Sequence, residues 1–334
     1  MISKKGILVT PNLSLIAEDA LVVAGENVDV EVNCIRLPAD PEARLSATEL
    51  EAVDAAYFSQ DIPRGYGRSF FSAVRKAPNI KWMHAFNAGT DHPIFAELLA
   101  KGIRVSISTG MTAVPIAQTA ITGLLMFARA FPHYLDAQRR HSWEPLTGDR
   151  QPQDLEHQTL CILGLGGIGT ELARLALGLG MNVIGIRRSP RRGEDPVDEM
   201  YPPHALAEVL PRCQWLAITC PLTEETRGLV DRDKLYSLPR GAHVINVARG
   251  EIVDEAALIE ALNSGHLAGA YLDVFEKEPL SGTSPLWDMP NVILSPHNSN
   301  ASSANERHIF GLFLGNFEKW LAGGAIRNEI QKTA

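Results

Sequence analysis

Short apolar runs alternate with helix-period segments along most of this chain. In the first hundred or so residues the runs at 6–10 (GILVT), 28–37, 55–59, 80–86 and 103–108 read as strands, and segments 13–24, 69–76 and 93–100 read as helices. Alternation of this kind predicts a parallel sheet with helices on its faces. The texture then changes. Residues 114–140 form one long, Ala-rich helical pattern, with Pro115 suited to its first turn and Pro132 placed to kink or break it. A polar stretch at 143–157 follows, and a second alternating unit begins at Thr159. Its strand candidates are 160–163, 182–186, 215–219, 243–246, 269–272 and 292–294, and a helical tail at 303–321 closes the chain. The pattern predicts an α/β protein with two parallel-sheet units.

At 334 residues the chain is long enough for two domains, each with its own core. A formal net charge of -8 argues against nucleic acid or an anionic membrane as a partner of the whole surface. Arg187, Arg188, Arg191 and Arg192 are a local exception. The four cysteines have neither CxxC spacing nor nearby histidines, so no disulfide framework and no metal site is expected. The first residues lack a signal-peptide apolar region, and no segment has the roughly 20 apolar residues of a membrane span. The expected setting is cytoplasmic.

Candidate chemistry begins at the second unit. The apolar run 159–163 leads directly into a Gly164-x-Gly166-x-x-Gly169 turn, and a helical pattern at 170–178 follows. Strand, glycine turn and helix in that order are the context of a phosphate-binding turn. Gly164 permits the tight turn, Gly166 lets backbone approach a pyrophosphate, and Gly169 lets the helix pack close. A strand–helix turn that binds nothing has the same local pattern. The next strand ends at Arg187, Arg188 and Ser189, where an acidic residue would bind the ribose of NAD. An arginine instead favours the 2′-phosphate of NADP, so Arg187 predicts a preference for NADPH.

Three polar residues follow strand candidates downstream: Arg249 in INVARG, Glu278 in FEKEP and His297 in SPHNS. Strand ends are where ligands bind in open α/β sheets. An Arg there can hold a carboxylate and polarise a carbonyl. A His can give a proton as hydride arrives. A Glu beside it fixes the ring's tautomer and favours the imidazolium. Each alone has a plainer reading: a helix-cap donor, a solvated acid and a structural turn. Elsewhere, Tyr66, Arg68, Phe70 and Phe71 read mainly as packing or surface, His84 as a strand residue, and His92, Asp231 and Asp233 as helix caps.

Taken together, TLCILGLGGIG (159–169), CPLTEETRGLV (220–230), NVARGEIVDEAAL (246–258), LDVFEKEPL (272–280) and SPH (295–297) resemble the D-isomer-specific 2-hydroxyacid dehydrogenases. The resemblance implies two Rossmann-like doubly wound domains with a cleft between them. Residues 1–110 and 299–334 would be the substrate-binding domain, and 111–298 the dinucleotide-binding domain. It implies an oxidoreductase that reduces a 2-keto acid, glyoxylate, hydroxypyruvate or a larger one, to a D-2-hydroxy acid; the Arg187 reading makes NADP the preferred coenzyme, with NAD possible. Arg249 would hold the substrate, His297 would be the acid/base and Glu278 its partner. The coenzyme positions would be Gly164, Gly166, Gly167, Ile168, Gly169, Arg187, Arg188, Ser189, Thr219, Pro221, Val247, Ala248 and Asp273, with Asp273 near the nicotinamide carboxamide. NAGTDHPIF (87–95) looks like the family's substrate-carboxylate loop, which points to Ala88 and Gly89. Gln118 stands where Glu is common, and SISTGM (106–111) replaces a more usual Asn-x-Pro-Gly. A homodimer is also implied. Two other uses of the same frame are phosphite-type oxidation and a coenzyme-sensing regulator without catalysis.

Overall fold

The computed structural model describes residues 3–40, 42–62, 65–89 and 92–330. The chain divides into two compact units, Met1–Met111 with Ser302–Ala334, and Thr112–Ala301. Both contain the parallel sheet that the alternating pattern predicts.

The first unit holds β1 (Ser3–Val9), β2 (Val30–Arg36), β3 (Ala55–Phe58), β4 (Trp82–Ala85) and β5 (Arg104–Ile107), all parallel, in the order β2-β1-β3-β4-β5. One face packs Leu8, Met83 and Val105 against Phe70, Val74 and Leu98. The other packs Ile7, Val9 and Trp82 against Leu21, Phe313 and Phe317, with Tyr57 stacked on Phe313 at 3.8 Å. Chain ends far apart in sequence thus share one core. The helices start where their caps dictate. Ser14 accepts the Ala17 N–H at the head of Leu15–Glu26, and His92 accepts the Ile94 N–H at the head of Pro93–Ala100. Phe70 is in the core, and the Tyr66 hydroxyl bonds the Ala39 carbonyl.

His84 lies wholly inside this unit. Ser108 gives its one hydroxyl hydrogen to the Ala85 carbonyl at 3.2 Å, so it must accept from His84 Nε2 at 3.0 Å. His84 Nδ1 then accepts from Ser106 at 2.7 Å, which describes a neutral ring with both nitrogens satisfied. Burial pushes its pKa down to about 3. The unfolded chain takes up a proton below about 6.5, which the folded chain refuses until about 3. His84 therefore favours the fold fully above pH 6.5, and that contribution is lost as pH falls toward 3, at up to about 1.4 kcal/mol per pH unit. Urea denaturation at several pH values should give His84→Gln a shallower acid loss than the parent. Parallel curves for the two proteins between pH 6 and 4 would refute the assignment.

The second unit holds β6 (Thr159–Leu163), β7 (Asn182–Ile186), β8 (Glu199–Tyr201), β9 (Trp215–Ile218), β10 (Ala242–Asn246), β11 (Leu267–Leu272) and β12 (Val292–Leu294). All are parallel, in the order β12-β11-β10-β9-β6-β7-β8. The order reverses between β6 and β9, which makes that gap the topological switch point. The edge strand β8 is absent from the sequence reading: three half-buried residues, one of them Glu199, give no apolar run.

The long helical pattern is two helices, Ala113–Ala128 and Phe131–Arg139, bent by 71°. Ala130 at the break has φ +56° and Pro132 lies in the first turn of the second helix. Among the described residues no single helix is long and apolar enough to cross a membrane. Helix Ala113–Ala128 docks on β11 through two glycines. A Cβ on Gly123 would stand 2.5 Å from the Tyr271 ring, and one on Gly269 would stand 2.7 Å from Phe127. Only glycine lets these aromatic rings lie flat on the facing backbone.

Candidate active site

Because every strand of the second sheet is parallel, all its C-terminal ends lie along one edge. Read across that edge, the loops carry Arg187–Ser189 after β7, the glycine turn after β6, Thr219–Pro221 after β9, Val247–Arg249 after β10, Asp273–Glu278 after β11 and His297 after β12. Strands lie about 4.8 Å apart, so this row is roughly 24 Å long.

The three glycines of the turn differ in their reasons. Gly164 has φ +106°, and its Cβ would stand 2.5 Å from the Cys220 backbone. A Cβ on Gly169 would stand 2.3 Å from the Gly164 carbonyl. A Cβ on Gly166 would meet nothing within 4 Å, so no protein contact demands a glycine there. Helix Gly167–Gly178 starts at Gly166 with no side-chain cap. Its first N–H groups, at Gly167 and Ile168, therefore face an open space with the positive end of the helix dipole behind them. That open cradle fits a pyrophosphate. Thr219 ties the turn to β9 by donating its hydroxyl to the Gly164 carbonyl at 2.6 Å. Pro221 beyond it is exposed.

Arg187 is engaged within its own loop. A guanidinium has five N–H donors, and here all five have partners within the protein. Nε bonds the Ser189 carbonyl at 3.3 Å. Nη1 bonds Asp195 at 2.9 Å and the Leu165 carbonyl at 3.4 Å. Nη2 bonds Asp195 at 2.6 Å and the Pro190 carbonyl at 2.6 Å. Arg187 is the loop's internal clamp. Arg187 and the Arg192 amide hold the Asp195 carboxyl below its usual range. Arg191 also folds back, onto the Val197 and Asp198 carbonyls. Arg188 and Ser189 are exposed beside this clamp.

Val247 and Ala248 are buried at the end of β10, and Arg249 behind them is half-buried. Asn246 shapes the turn. Its amide donates to the Arg249 carbonyl at 3.0 Å and its side-chain oxygen accepts the Ala248 N–H at 3.1 Å. The Arg249 guanidinium donates to the Ala248 carbonyl at 2.7 Å. A Cβ on Gly250 would stand 1.9 Å from the Phe275 carbonyl carbon, so the Arg249 turn sits directly on the loop that carries Glu278.

Glu278 and His297 meet. His297 Nδ1 lies 2.7 Å from Glu278 Oε2, and Glu278 Oε1 accepts the Phe275 N–H at 3.1 Å. With Nδ1 turned to the carboxylate, Nε2 is the nitrogen that can pass a proton outward. Both side chains are open to solvent, at 45 % and 36 % exposure, so a substrate can reach them. His297 has φ +49°, a conformation uncommon outside glycine. Asp273 is wholly buried. Its carboxylate accepts from the Ser295 hydroxyl at 2.6 Å and from the N–H groups of Asn298 at 2.8 Å and Ser299 at 3.1 Å. Its carbonyl accepts the His297 N–H at 2.7 Å. Asn246, Gly250, Ser295 and Asp195 thus shape the site without having been singled out from the sequence. Asn246, Gly250 and Ser295 fall inside the motifs quoted above, and Asp195 does not.

Ala88 and Gly89 belong to the first unit, on the loop after β4. Their carbonyls accept from Thr109 at 3.2 Å and from Asn87 at 2.7 Å. Thr90 and Asp91 of the same motif lie outside the described residues.

A dinucleotide cradle at the switch point and a His–Glu pair further along the same edge define a nicotinamide-dependent dehydrogenase. A family model described as D-isomer specific 2-hydroxyacid dehydrogenase, NAD binding domain, matches residues 121–299. Glyoxylate/hydroxypyruvate reductase B of Serratia proteamaculans is 33% identical over 233 residues, 69% of this chain and 71% of that protein. A D-isomer specific 2-hydroxyacid dehydrogenase of Xanthobacter autotrophicus, solved in complex with NADPH and MES, is 30% identical with a TM-score of 0.77, and the match covers 98% of each chain. An NADPH-dependent glyoxylate/hydroxypyruvate reductase of Sinorhizobium meliloti, solved with NADP and sulfate, is 28% identical with a TM-score of 0.76 and the same coverage. The chain belongs to the D-isomer specific 2-hydroxyacid dehydrogenase family and is an NAD(P)-dependent oxidoreductase of that kind.

Proposed function

We propose that this enzyme reduces a small 2-keto acid of the glyoxylate or hydroxypyruvate class to the D-2-hydroxy acid, with NADPH preferred over NADH. The 2.7 Å contact between His297 and Glu278, one loop along from Arg249, carries the reading. The bound coenzyme supplies the hydride. Arg249 holds the substrate carboxylate and polarises the keto group. His297 Nε2 protonates the oxygen as charge develops there, and Glu278 holds the ring and its positive charge. The Gly164–Gly169 turn, with Gly167 and Ile168, takes the pyrophosphate, and Thr219, Pro221, Val247 and Ala248 complete the coenzyme edge. Asp273, committed to the 295–299 loop, enters through that loop.

The unit that contains the glycine turn is the coenzyme domain in this scheme. The other unit is the substrate domain, with the Ala88 and Gly89 N–H groups as carboxylate donors. A cytoplasmic homodimer completes the reading. The four free thiols suit a reducing setting. Trp143, 96 % exposed, with Phe131, Tyr134 and Leu135 gives the second unit an apolar surface that suits a second copy.

The test is a set of initial rates with NADPH and NADH over 2-keto acids from glyoxylate to phenylpyruvate. Fast NADPH oxidation with the smallest members is the expected result. Coenzyme binding with no turnover of any of them would overturn the reading. With Arg187 engaged, discrimination falls to Arg188. Arg188→Asp should shift the NADPH/NADH ratio of kcat/KM toward NADH by about 10- to 100-fold, the effect of one charged hydrogen bond exchanged for repulsion. An unchanged ratio would remove Arg188 from the phosphate site.

A further inference from the structure

The structure assigns Tyr271 and Ser295 a part in the reaction as positioning residues. The hydrogen-bond chain Tyr271–Ser295–Asp273 fixes the 295–299 loop, and through it the His297 ring. This rests on the reading of His297 as proton donor.

Hydrogen counting gives the chain a direction. Ser295 Oγ lies 2.6 Å from Asp273 Oδ1 and 2.6 Å from the Tyr271 hydroxyl. A carboxylate only accepts, and serine has one hydroxyl hydrogen. Ser295 therefore donates to Asp273 and must accept from Tyr271. Burial raises the Tyr271 pKa, the Ser295 contact lowers it in part and the Asp273 charge raises it further, so the phenol keeps its proton and remains a donor. Each bond polarises the next, and the last ends on a charged acceptor, the strong kind.

Both ends of the chain are fixed. At one end the Tyr271 ring lies against Gly123, where no larger residue fits. At the other, Asp273 Oδ1 takes the Ser295 hydroxyl and the N–H groups of Asn298 and Ser299, while Oδ2 takes Ser299 again at 3.1 Å. Residues 297–299 are thus fastened one after another to a single residue, Asp273. Their left-handed first member, His297, persists because its surroundings over-determine it. Without the phenol, the Ser295 hydroxyl is free to turn, Asp273 loses its polarised donor, and the His297 ring loosens relative to Glu278. A proton donor displaced by a fraction of an ångström acts more slowly without altering coenzyme affinity.

Two readouts on Tyr271→Phe, Ser295→Ala and their double variant test this, with Ser295→Thr as the variant that keeps the hydroxyl. The first is amide hydrogen exchange, which does not depend on turnover. Exchange at Asn298 and Ser299 should accelerate in Tyr271→Phe and Ser295→Ala, stay near the parent's in Ser295→Thr, and be unchanged at 164–169 in all. The second is kcat at saturation. Each single change should lower it about 5- to 20-fold with coenzyme KM nearly constant, and the double variant should be no worse than the poorer single, as for residues of one network. Unaltered exchange at 298 and 299 would refute the chain. Faster exchange with full kcat, or losses that multiply, would refute the positioning role. Failure of the acid/base reading has a separate signature: His297→Ala would turn over normally, and the exchange result would still decide the chain.

Discussion

His297→Ala lowers kcat for 2-keto acid reduction by about 10²- to 10⁴-fold, the usual contribution of a general acid. NADPH affinity should hardly change, because the glycine turn is four strands away in the sheet. The residual rate should also lose its dependence on Glu278: once the ring is gone, Glu278→Gln disturbs no imidazole, and its amide oxygen can still accept the Phe275 N–H. Stopped-flow single turnovers with saturating NADPH separate binding from chemistry. If the transient rate of hydride transfer stays within about three-fold of the parent, another group supplies the proton.

Arg249→Ala should lower kcat/KM by about 10²- to 10³-fold, the loss typical of one preorganised electrostatic donor. Part of the loss falls on KM, because the carboxylate loses its partner, and part on kcat, because the carbonyl is no longer polarised. Arg249→Lys should recover only a fraction, since an ammonium keeps the charge but not the planar fork. The turn itself survives either change, as Asn246 and Gly250 set it through backbone contacts. Steady-state kinetics across the three proteins decide the matter. Equal kcat/KM for the parent and Arg249→Ala would place substrate recognition elsewhere.

The buried strands are legible in the sequence because a parallel strand covered on both faces is a continuous apolar run, as in TLCIL at β6. The glycine turn is legible because two steric demands, at Gly164 and Gly169, and an open position at Gly166 fall at fixed spacing on one local segment. Arg249, Glu278 and His297 draw notice in the sequence because each follows an apolar run that the fold makes a strand. What stays hidden depends on pairing between distant segments. Tyr271 and Ser295 are 24 residues apart in the chain and meet only because β11 and β12 pair in one register. The Arg187–Asp195 pair stays hidden because Asp195 closes on Arg187 through a loop whose path no periodicity describes. The strand β8 is too short and too polar to announce itself. Position along the sequence thus points to candidate residues, while the contacts that support them emerge only in three dimensions.

The Arg187–Asp195 clamp also bears on how this enzyme can be altered. Most of the bonds that shape residues 187–198 close within that stretch, and the Leu165, Val183 and Tyr201 backbones supply the exceptions. The segment is a self-bracing cassette between two strands. Under the proposed function, exchange of the exposed residues inside it should retune the adenosine end of the coenzyme, while Arg249, Glu278 and His297, hung from other strands, should inherit no strain from the change.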